Sequence, residues 1–407
     1  MYGVVLAAGR GTRMRPLTDR RPKPLLPVGD RSLLEHAFDA AYEVVDEFVV
    51  VIGYRGDLIR ETIGDSYRNR PVHYVEQEEA RGTADAVAQA ESVVDDRFIV
   101  LNGDVLVDPE LPRALADAGG TAVAATVVDD PQSYGVISTT SEDGTDGDVL
   151  AGIIEKPADP PTSLANVGCY AFEPDVFEYI ERTPESERGE YEITTTLELL
   201  LADDREIAVA SYAGTWLDVG RPWELLEATE VVLGDWDDQQ LDGTVEEGVH
   251  LEGAVVVEAG ARVRSGAYVE GPALICEGAE VGPNAYIRGA TVVGPDGHVG
   301  HSVEVKNSVL MAGVSVGHLS YVGDSILGRD VNVGAGTNVA NLRHDDENVR
   351  LTVKGDRVNT GRRKFGVVVG DDAKTGINTS LNAGVTMGVG ATTAPGEVLT
   401  RDRLTND

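Results

Sequence analysis

From residue 245 onward an aliphatic side chain recurs at every sixth position. The series runs Val245, Leu251, Val257, Val263, Val269, Ile275, Val281, Ile287, Val293, Val299 and Val305. It slips by one residue to Leu310, Val316 and Val322, slips again to Leu327, Val333 and Val339, and resumes at Val369, Thr375, Leu381, Met387, Thr393 and Leu399. Of these 23 hexads, 21 open on Val, Leu, Ile or Met. The fifth position is usually small or β-branched, as at Ala261, Ala267, Ala273, Ala279 and Ala285. A period of six fits neither a helix nor simple strand alternation. It predicts a stacked parallel β-helix with the aliphatic residues in a narrow core and Gly and Asn at the corners. Residues 341–366 break the repeat, so a long loop must leave the coil there.

Before this repeat the pattern is that of an α/β domain. Short apolar runs at 3–8, 48–52, 98–101 and 122–128 predict buried strands, with further strands at 136–138, 153–155 and 167–172. Ser32 followed by Glu35 reads as a capping-box helix start. Residues 83–94 and 194–201 are helix candidates. Periodicity stops and acids dominate over 233–244, which divides the chain into a domain at 1–232, an acidic linker, and a β-helix domain at 245–407.

Charge sharpens this picture. The 407 residues carry 34 Lys and Arg against 69 Asp and Glu, a formal charge of −35. Such an acidic surface excludes a general nucleic-acid binder, which needs a basic face. No apolar run is long enough to span a membrane or to read as a signal peptide. Cys169 and Cys276 are too few for a disulfide framework or a Cys-rich metal site. A cytoplasmic protein is expected. Only six of the basic residues are Lys, a composition that fits a high-salt cytoplasm. Two windows invert the sign: residues 2–28 and 349–364 each carry a net +5, leaving −45 elsewhere. Islands of this kind suit phosphate-bearing small molecules.

The first island contains LAAGRGTRMRPLTDRRPKPLLPV, residues 6–28. Met14 stands where a dinucleotide fingerprint needs its third glycine, and no Walker Lys-Ser/Thr pair follows. What remains is a Gly-rich turn after a strand, whose N–H groups can cradle phosphates beside Arg13 and Lys23. Together with PKPLLPV, the LAAG-x-GTRM segment resembles the signature of the sugar-1-phosphate nucleotidylyltransferases. The likeness continues through Gln77 with Gly82-Thr83, Leu101-Asn102-Gly103-Asp104, Tyr134-Gly135-Val136, Glu155-Lys156-Pro157, Asn166-Val167-Gly168 and Trp216-Leu217-Asp218-Val219-Gly220. It implies transfer of a nucleotidyl group to a sugar 1-phosphate with release of pyrophosphate. The sugar phosphate is itself the nucleophile, so the protein's work is alignment and charge neutralisation. By resemblance, Asp104 and Asp218 hold Mg²⁺, which keeps several waters. Ala8, Gly9, Gly11, Thr12, Gln77, Gly82 and Thr83 bind the nucleotide. Arg13 and Lys23 are catalytic residues facing the triphosphate. Lys156 meets the reacting phosphates, and Gly135, Glu155 and Asn166 contact the sugar. Lys23 and Lys156 are also the only lysines before residue 306, so a compact point charge is retained at both places.

The β-helix carries its own motifs: Ile287-Arg288, Val303-Glu304-Val305-Lys306, Gly317-His318-Leu319-Ser320-Tyr321, Asn332 and Ala335 in VNVGAGT, Asn341, and Lys364-Phe365 ahead of Gly370-Asp371-Asp372. These resemble the acetyltransferase domain of the bifunctional N-acetylglucosamine-1-phosphate uridylyltransferase/glucosamine-1-phosphate acetyltransferases. The resemblance implies that His318 is the general base on the sugar amine, work that imidazole commonly does. It further implies that Arg288 and Lys306 bind the sugar phosphate and that Tyr321 and Asn332 position the sugar. Ala335, Asn341 and Lys364 are assigned to acetyl-CoA and its acetyl group. Leu342 departs from the bacterial pattern, which has Tyr there, and the following loop is longer and richer in Arg. The PKPLLPV and WLDVG motifs look more like glucose-1-phosphate thymidylyl- or uridylyltransferases.

The fold class expected from these readings is a Rossmann-like nucleotidyltransferase domain with a mostly parallel sheet, followed by a left-handed parallel β-helix. The expected enzyme makes UDP-N-acetylglucosamine from UTP (or dTTP in a variant specificity), sugar 1-phosphates and acetyl-CoA, with Mg²⁺, and assembles as a homotrimer or higher oligomer through the β-helix. The alternative is a glucose-1-phosphate uridylyl- or thymidylyltransferase whose β-helix only assembles subunits.

Overall fold

The computed structural model describes residues 1–140, 148–186 and 188–404. Two compact units divide the chain. The first comprises Met1–Arg10, Pro22–Leu25 and Leu33–Asp218; the second comprises Gly11–Arg21, Leu26–Ser32 and Val219–Asp407, its last three residues lying outside the described ones.

The first unit is a ten-stranded sheet covered on both faces. Tyr2–Ala7 lies at its centre, parallel to Glu47–Ile52 on one side and Phe98–Asn102 on the other, and Arg70–Glu76 extends the parallel run. These strands read as apolar throughout because both faces are buried. Val4, Val49, Val51, Phe98 and Val100 fill one core, while Val5, Val50, Ile52, Ile99 and Leu101 fill the other. Beyond Phe98–Asn102 the order changes. Leu164–Phe172 runs antiparallel to it and to Ala122–Val127, and the hairpin Gly135–Thr139/Leu150–Glu155 completes that edge. The sheet is therefore mixed: parallel at its centre, antiparallel on the arm that carries Gly135, Glu155 and Asn166. Of the expected helices, one follows Ser32 over Leu33–Ala41 and another forms over Ile193–Ala202, while 83–94 splits into an α-helix at Thr83–Ala88 and a 3₁₀ turn at Gln89–Ser92.

The second unit is a three-sided parallel β-helix of two eight-stranded faces and one six-stranded face, the arrangement of the expected left-handed coil. Successive rungs on a face are 18 residues apart, as in Val255↔Ala273 and Ala273↔Thr291. The one-residue slips of the sequence shorten later rungs to 17, as in Val292↔Val309 and Val309↔Ile326. The hexad residues from Val257 to Leu399 line one continuous core, joined by the partly buried Val245 and Leu251. Thr375 and Thr393 do not. Their hydroxyls accept hydrogen bonds from the N–H groups of Gly334 and Gly376, so polar hexad positions satisfy backbone where the coil turns. Strand pairing begins with Gln240–Leu241 on Val255–Val257, inside the segment 233–244. The loop after Asn341 folds into the hairpin Arg350–Val353/Asp356–Asn359 before the coil resumes at Val368–Val369. Helix Pro222–Gly234 belongs to this unit, and its Leu233 packs on Leu274, Cys276, Ala290 and Val292.

Candidate active sites

In the first unit, a two-stranded ladder does the positioning. Val105–Val107 pairs antiparallel with Trp216–Asp218 in the register Asp218↔Val105, which sets Asp218 beside Asp104 at the end of the central strand Phe98–Asn102. Tyr212 fixes the approach to this ladder. Its hydroxyl donates to Asp108 Oδ2 at 3.0 Å, and the same oxygen accepts from the N–H of Thr215 at 2.7 Å. Burial pushes the Tyr212 phenol above its usual range, so it stays a donor. Lys23, buried in the short turn Lys23–Leu25, reaches both carboxylates, with Nζ 2.5 Å from Asp104 Oδ2 and 3.8 Å from Asp218 Oδ1. Both acids are partly exposed while Lys23 is 7% exposed, so the ammonium is fixed and the carboxylates face outward. Among the described residues no third Asp, Glu, His or Cys joins them. Two carboxylates without further protein donors fit a hard cation that completes its shell with water and substrate oxygens, which is Mg²⁺ chemistry.

The positions expected to bind the nucleotide lie in tight backbone. Ala8 accepts from the Tyr54 N–H at 3.2 Å, and a Cβ on Gly9 would meet nothing within 4 Å, leaving room over the turn. Gly11 has φ +58 and leads into the 3₁₀ turn Thr12–Met14 in the second unit. There the Arg13 guanidinium stands beside Gly220, whose added Cβ would lie 3.1 Å from it. Gln77 is buried and donates to Asp85 at 2.7 Å and to the Gly82 carbonyl at 3.2 Å. Gly82 has φ +119, and a Cβ there would sit 2.3 Å from the Tyr191 carbonyl. Thr83 Oγ1 accepts from the N–H of Ile193 at 3.0 Å, satisfying the first N–H of helix Ile193–Ala202.

The positions expected to contact the sugar converge. Gly135 and Glu155 are direct cross-strand partners, and a Cβ on Gly135 would lie 3.1 Å from Glu155 Oε2 and 3.5 Å from Asn166. Asn166 is held by Tyr170 at 2.7 Å and by the N–H of Gly168 at 2.9 Å. Lys156 has φ +46 and is half exposed, 3.8 Å from Glu155. Sequence reasoning missed Arg188, which joins Glu155 at 3.2 Å to Glu192 at 2.8 Å.

In the second unit the positions expected to serve acetyl transfer fall into two groups. Arg288, Lys306 and Tyr321 share one face, with Arg288↔Lys306 and Lys306↔Gly323 in register. Asp324, 2% exposed, collects this group. It accepts from Lys306 at 2.8 Å through both oxygens, from Asn307 at 3.1 Å and from Asn341 at 2.5 Å, and Asn341 also donates to the Tyr321 hydroxyl at 3.1 Å. Arg288 is held by Glu304 at 2.6 Å. Burial, with the charges of Asp324 and Glu304, raises the Tyr321 pKa. A Cβ on Gly323 would lie 2.3 Å from the Tyr321 hydroxyl, so a side chain there would displace the phenol. Lys364 pairs through its backbone with Leu342, next to Asn341. His318, Asn332 and Ala335 occupy the preceding face and its corner. The exposed His318 lies one rung from Gly336, whose N–H donates to its carbonyl at 3.0 Å, and its ring makes no hydrogen bond among the described residues. Asp324 is the residue that sequence reasoning passed over, because an Asp at a coil corner with φ +49 reads as a simple turn.

The basic islands prove to be partly paired. Arg21 is buried against Asp371 at 2.5 Å, and Arg20 binds Asp372. Arg362 holds Glu230 of helix Pro222–Gly234, which also accepts from Asn307 at 2.7 Å, and Arg363 binds Asp346. These contacts are structural.

A Gly-rich turn leading to a paired-carboxylate strand end, ahead of a hexapeptide coil, defines a nucleotidyl transferase joined to a parallel β-helix. The nucleotidyl transferase family model matches residues 2–234, and a model described as the GMPPB C-terminal domain matches 269–387. "Bifunctional protein GlmU" of Methanocaldococcus jannaschii is 40% identical over 95% of this chain and 92% of its own length. A "Bifunctional sugar-1-phosphate nucleotidylyltransferase/acetyltransferase" of Sulfurisphaera tokodaii is 35% identical over 99% and 98%. A crystal structure of UDP-glucose pyrophosphorylase complexed with UDP-glucose matches 57% of this chain and 98% of its own, at 25% identity and a TM-score of 0.53. The chain belongs to the GlmU family of bifunctional nucleotidylyltransferase/acetyltransferases.

Proposed function

We propose that the chain performs two successive reactions and yields UDP-N-acetylglucosamine. The observation carrying this reading is full-length likeness to bifunctional relatives in a chain that keeps both sets of side chains. In the β-helix, the exposed imidazole of His318 takes the proton from the amine of glucosamine 1-phosphate. The amine attacks the acetyl-CoA thioester, and CoA leaves as the thiol. Arg288 and Lys306 hold the sugar phosphate. Both are already paired with carboxylates, so they recognise it through geometry and remaining donors rather than raw charge. Tyr321 and Asn332 orient the sugar, while Ala335, Asn341 and Lys364 border the acetyl-CoA path. Leu342 offers this path an apolar surface where bacterial enzymes offer a phenol.

In the α/β domain, a phosphate oxygen of N-acetylglucosamine 1-phosphate attacks the α-phosphorus of UTP, and pyrophosphate leaves. Asp104 and Asp218 would hold Mg²⁺, which when bound would supply Lewis-acid stabilisation to the transferring phosphoryl group. Lys23 and Arg13 bring positive charge to the triphosphate and Lys156 to the reacting phosphates. Gln77 and the Gly82-Thr83 backbone read the pyrimidine, UTP or dTTP. Gly135 leaves room for the sugar between Glu155 and Asn166. The chain acts in a salt-rich cytoplasm as a trimer formed through the β-helix. The test is to supply glucosamine 1-phosphate and acetyl-CoA and follow free thiol. Stoichiometric release supports the reading; none, with nucleotidyl transfer intact, leaves a nucleotidylyltransferase with a structural β-helix.

A further inference from the structure

The two basic islands meet at one place. Within the second unit, the segment Gly11–Arg21 and the tip of the hairpin Arg350–Val353/Asp356–Asn359 line a common cavity of 310 Å³. Arg13, Arg15 and Lys354 border it, with Asp19, Asp402 and Thr386. Of its acids, Asp19 lies 3.1 Å from Arg15, while Asp402 accepts from the Thr386 N–H at 2.8 Å and keeps its charge. Arg13 and Lys354 have no ion-pair partner among the described residues, although acids outnumber bases two to one in this chain. Lys354 is presented rigidly, since Lys354 (φ +52) and Gly355 (φ +93) form a two-residue turn of the kind that matches strand twist. Thr386 is 3% exposed, and its Oγ1 has no hydrogen-bond partner among the described residues. A buried hydroxyl left unpaired costs free energy. Two unpaired cations and one unpaired hydroxyl around a single hollow are the donors a phosphate oxygen needs. The volume lies at the low end of ligand cavities, typically about 300–1,000 Å³.

We propose that this cavity binds a small phosphate monoester, or phosphate itself, as an effector of the nucleotidyl reaction. The effector takes Arg13, which the nucleotide also needs, so each weakens the other's binding by the same factor. This rests on the nucleotidyl reading above and not on the acetyl one. The probe is inorganic phosphate at fixed ionic strength, with sugar nucleotide formation followed by chromatography as UTP is varied. In the parent protein, phosphate raises the apparent KM for UTP at least fivefold and leaves kcat unchanged. Lys354→Glu abolishes that rise and Thr386→Val reduces it, while activity without phosphate stays within twofold of the parent in both. If the variants are inhibited like the parent, phosphate acts at the nucleotide site and the proposal falls. It falls equally if the parent shows no inhibition. Absence of sugar nucleotide formation in the parent under all conditions refutes instead the nucleotidyl reading.

Discussion

Lys23 donates to Asp104 across 2.5 Å, a charge-assisted contact between a buried ammonium and a carboxylate that faces outward. The same ammonium lies 3.8 Å from Asp218, so it neutralises part of the charge that would otherwise attract a cation to this pair. Lys23→Met should therefore act in two directions. The rate of nucleotidyl transfer falls by about 10²-fold, the size of one lost electrostatic donor. The Mg²⁺ concentration giving half the maximal rate falls as well. A metal titration of both proteins checks this, and a variant needing more Mg²⁺ contradicts it.

Asp324 predicts a different effect on the β-helix. It gathers Lys306, Asn307 and Asn341 while nearly fully buried. Removing one partner of a buried pair costs about 3–5 kcal/mol, because the other charge is left without compensation. Asp324→Ala should lower the denaturant midpoint and raise the KM for glucosamine 1-phosphate, since Lys306 loses its position. Asp324→Ala combined with Lys306→Met should recover much of the stability but not the KM. Equal stability of single and double variants would show that the pair is not coupled.

Gly82 is a backbone requirement. Its φ of +119 and the Tyr191 carbonyl 2.3 Å from a would-be Cβ leave no room for a side chain. Gly82→Ala should cost about 1–3 kcal/mol of stability. It should also weaken UTP binding, because the Gly82 carbonyl orients Gln77. Calorimetric melting together with UTP titration checks both, and an unchanged melting temperature contradicts the strain.

The two cysteines set an alkaline limit. Burial pushes Cys169 and Cys276 up from 9.0 to about 12, and Tyr74 from 10.0 to about 12. The folded state thus holds these protons more tightly than the unfolded one. Their contribution to stability is complete below pH 9 and is lost as pH rises towards 12. Denaturant midpoints should fall steadily above pH 9. At pH 8 a thiol reagent should label neither cysteine in the folded protein and both after unfolding.

The β-helix was the most legible part of the chain because its core writes itself into the sequence at fixed intervals: Val263, Val281 and Val299 succeed one another on one face of the coil. The slips after Val305 and Val322 also translate directly into 17-residue rungs. Short amphipathic helices such as Glu110–Asp117 and Val176–Arg182 were missed, since Leu111 and Leu115, or Val176 and Ile180, give too few apolar repeats to separate from loop. The pairing of Asp104 with Asp218 depends on a strand register between distant segments that no local pattern encodes. Charge counting located both basic islands but could not see that Arg20, Arg21, Arg362 and Arg363 are held by acids far away in sequence or across a loop. Nor could it see that Arg13 and Lys354, one from each island, border the same cavity.

The central claim is that two independent active sites in this chain act in sequence. His318→Ala and Asp104→Asn are each supplied with glucosamine 1-phosphate, acetyl-CoA, UTP and Mg²⁺, alone and mixed, and UDP-N-acetylglucosamine is measured. Each variant alone should form essentially none, and the mixture should restore the parent's product, because the acetylated sugar phosphate passes from one protein to the other. A mixture as inactive as its components, with both variants folded, would contradict the account.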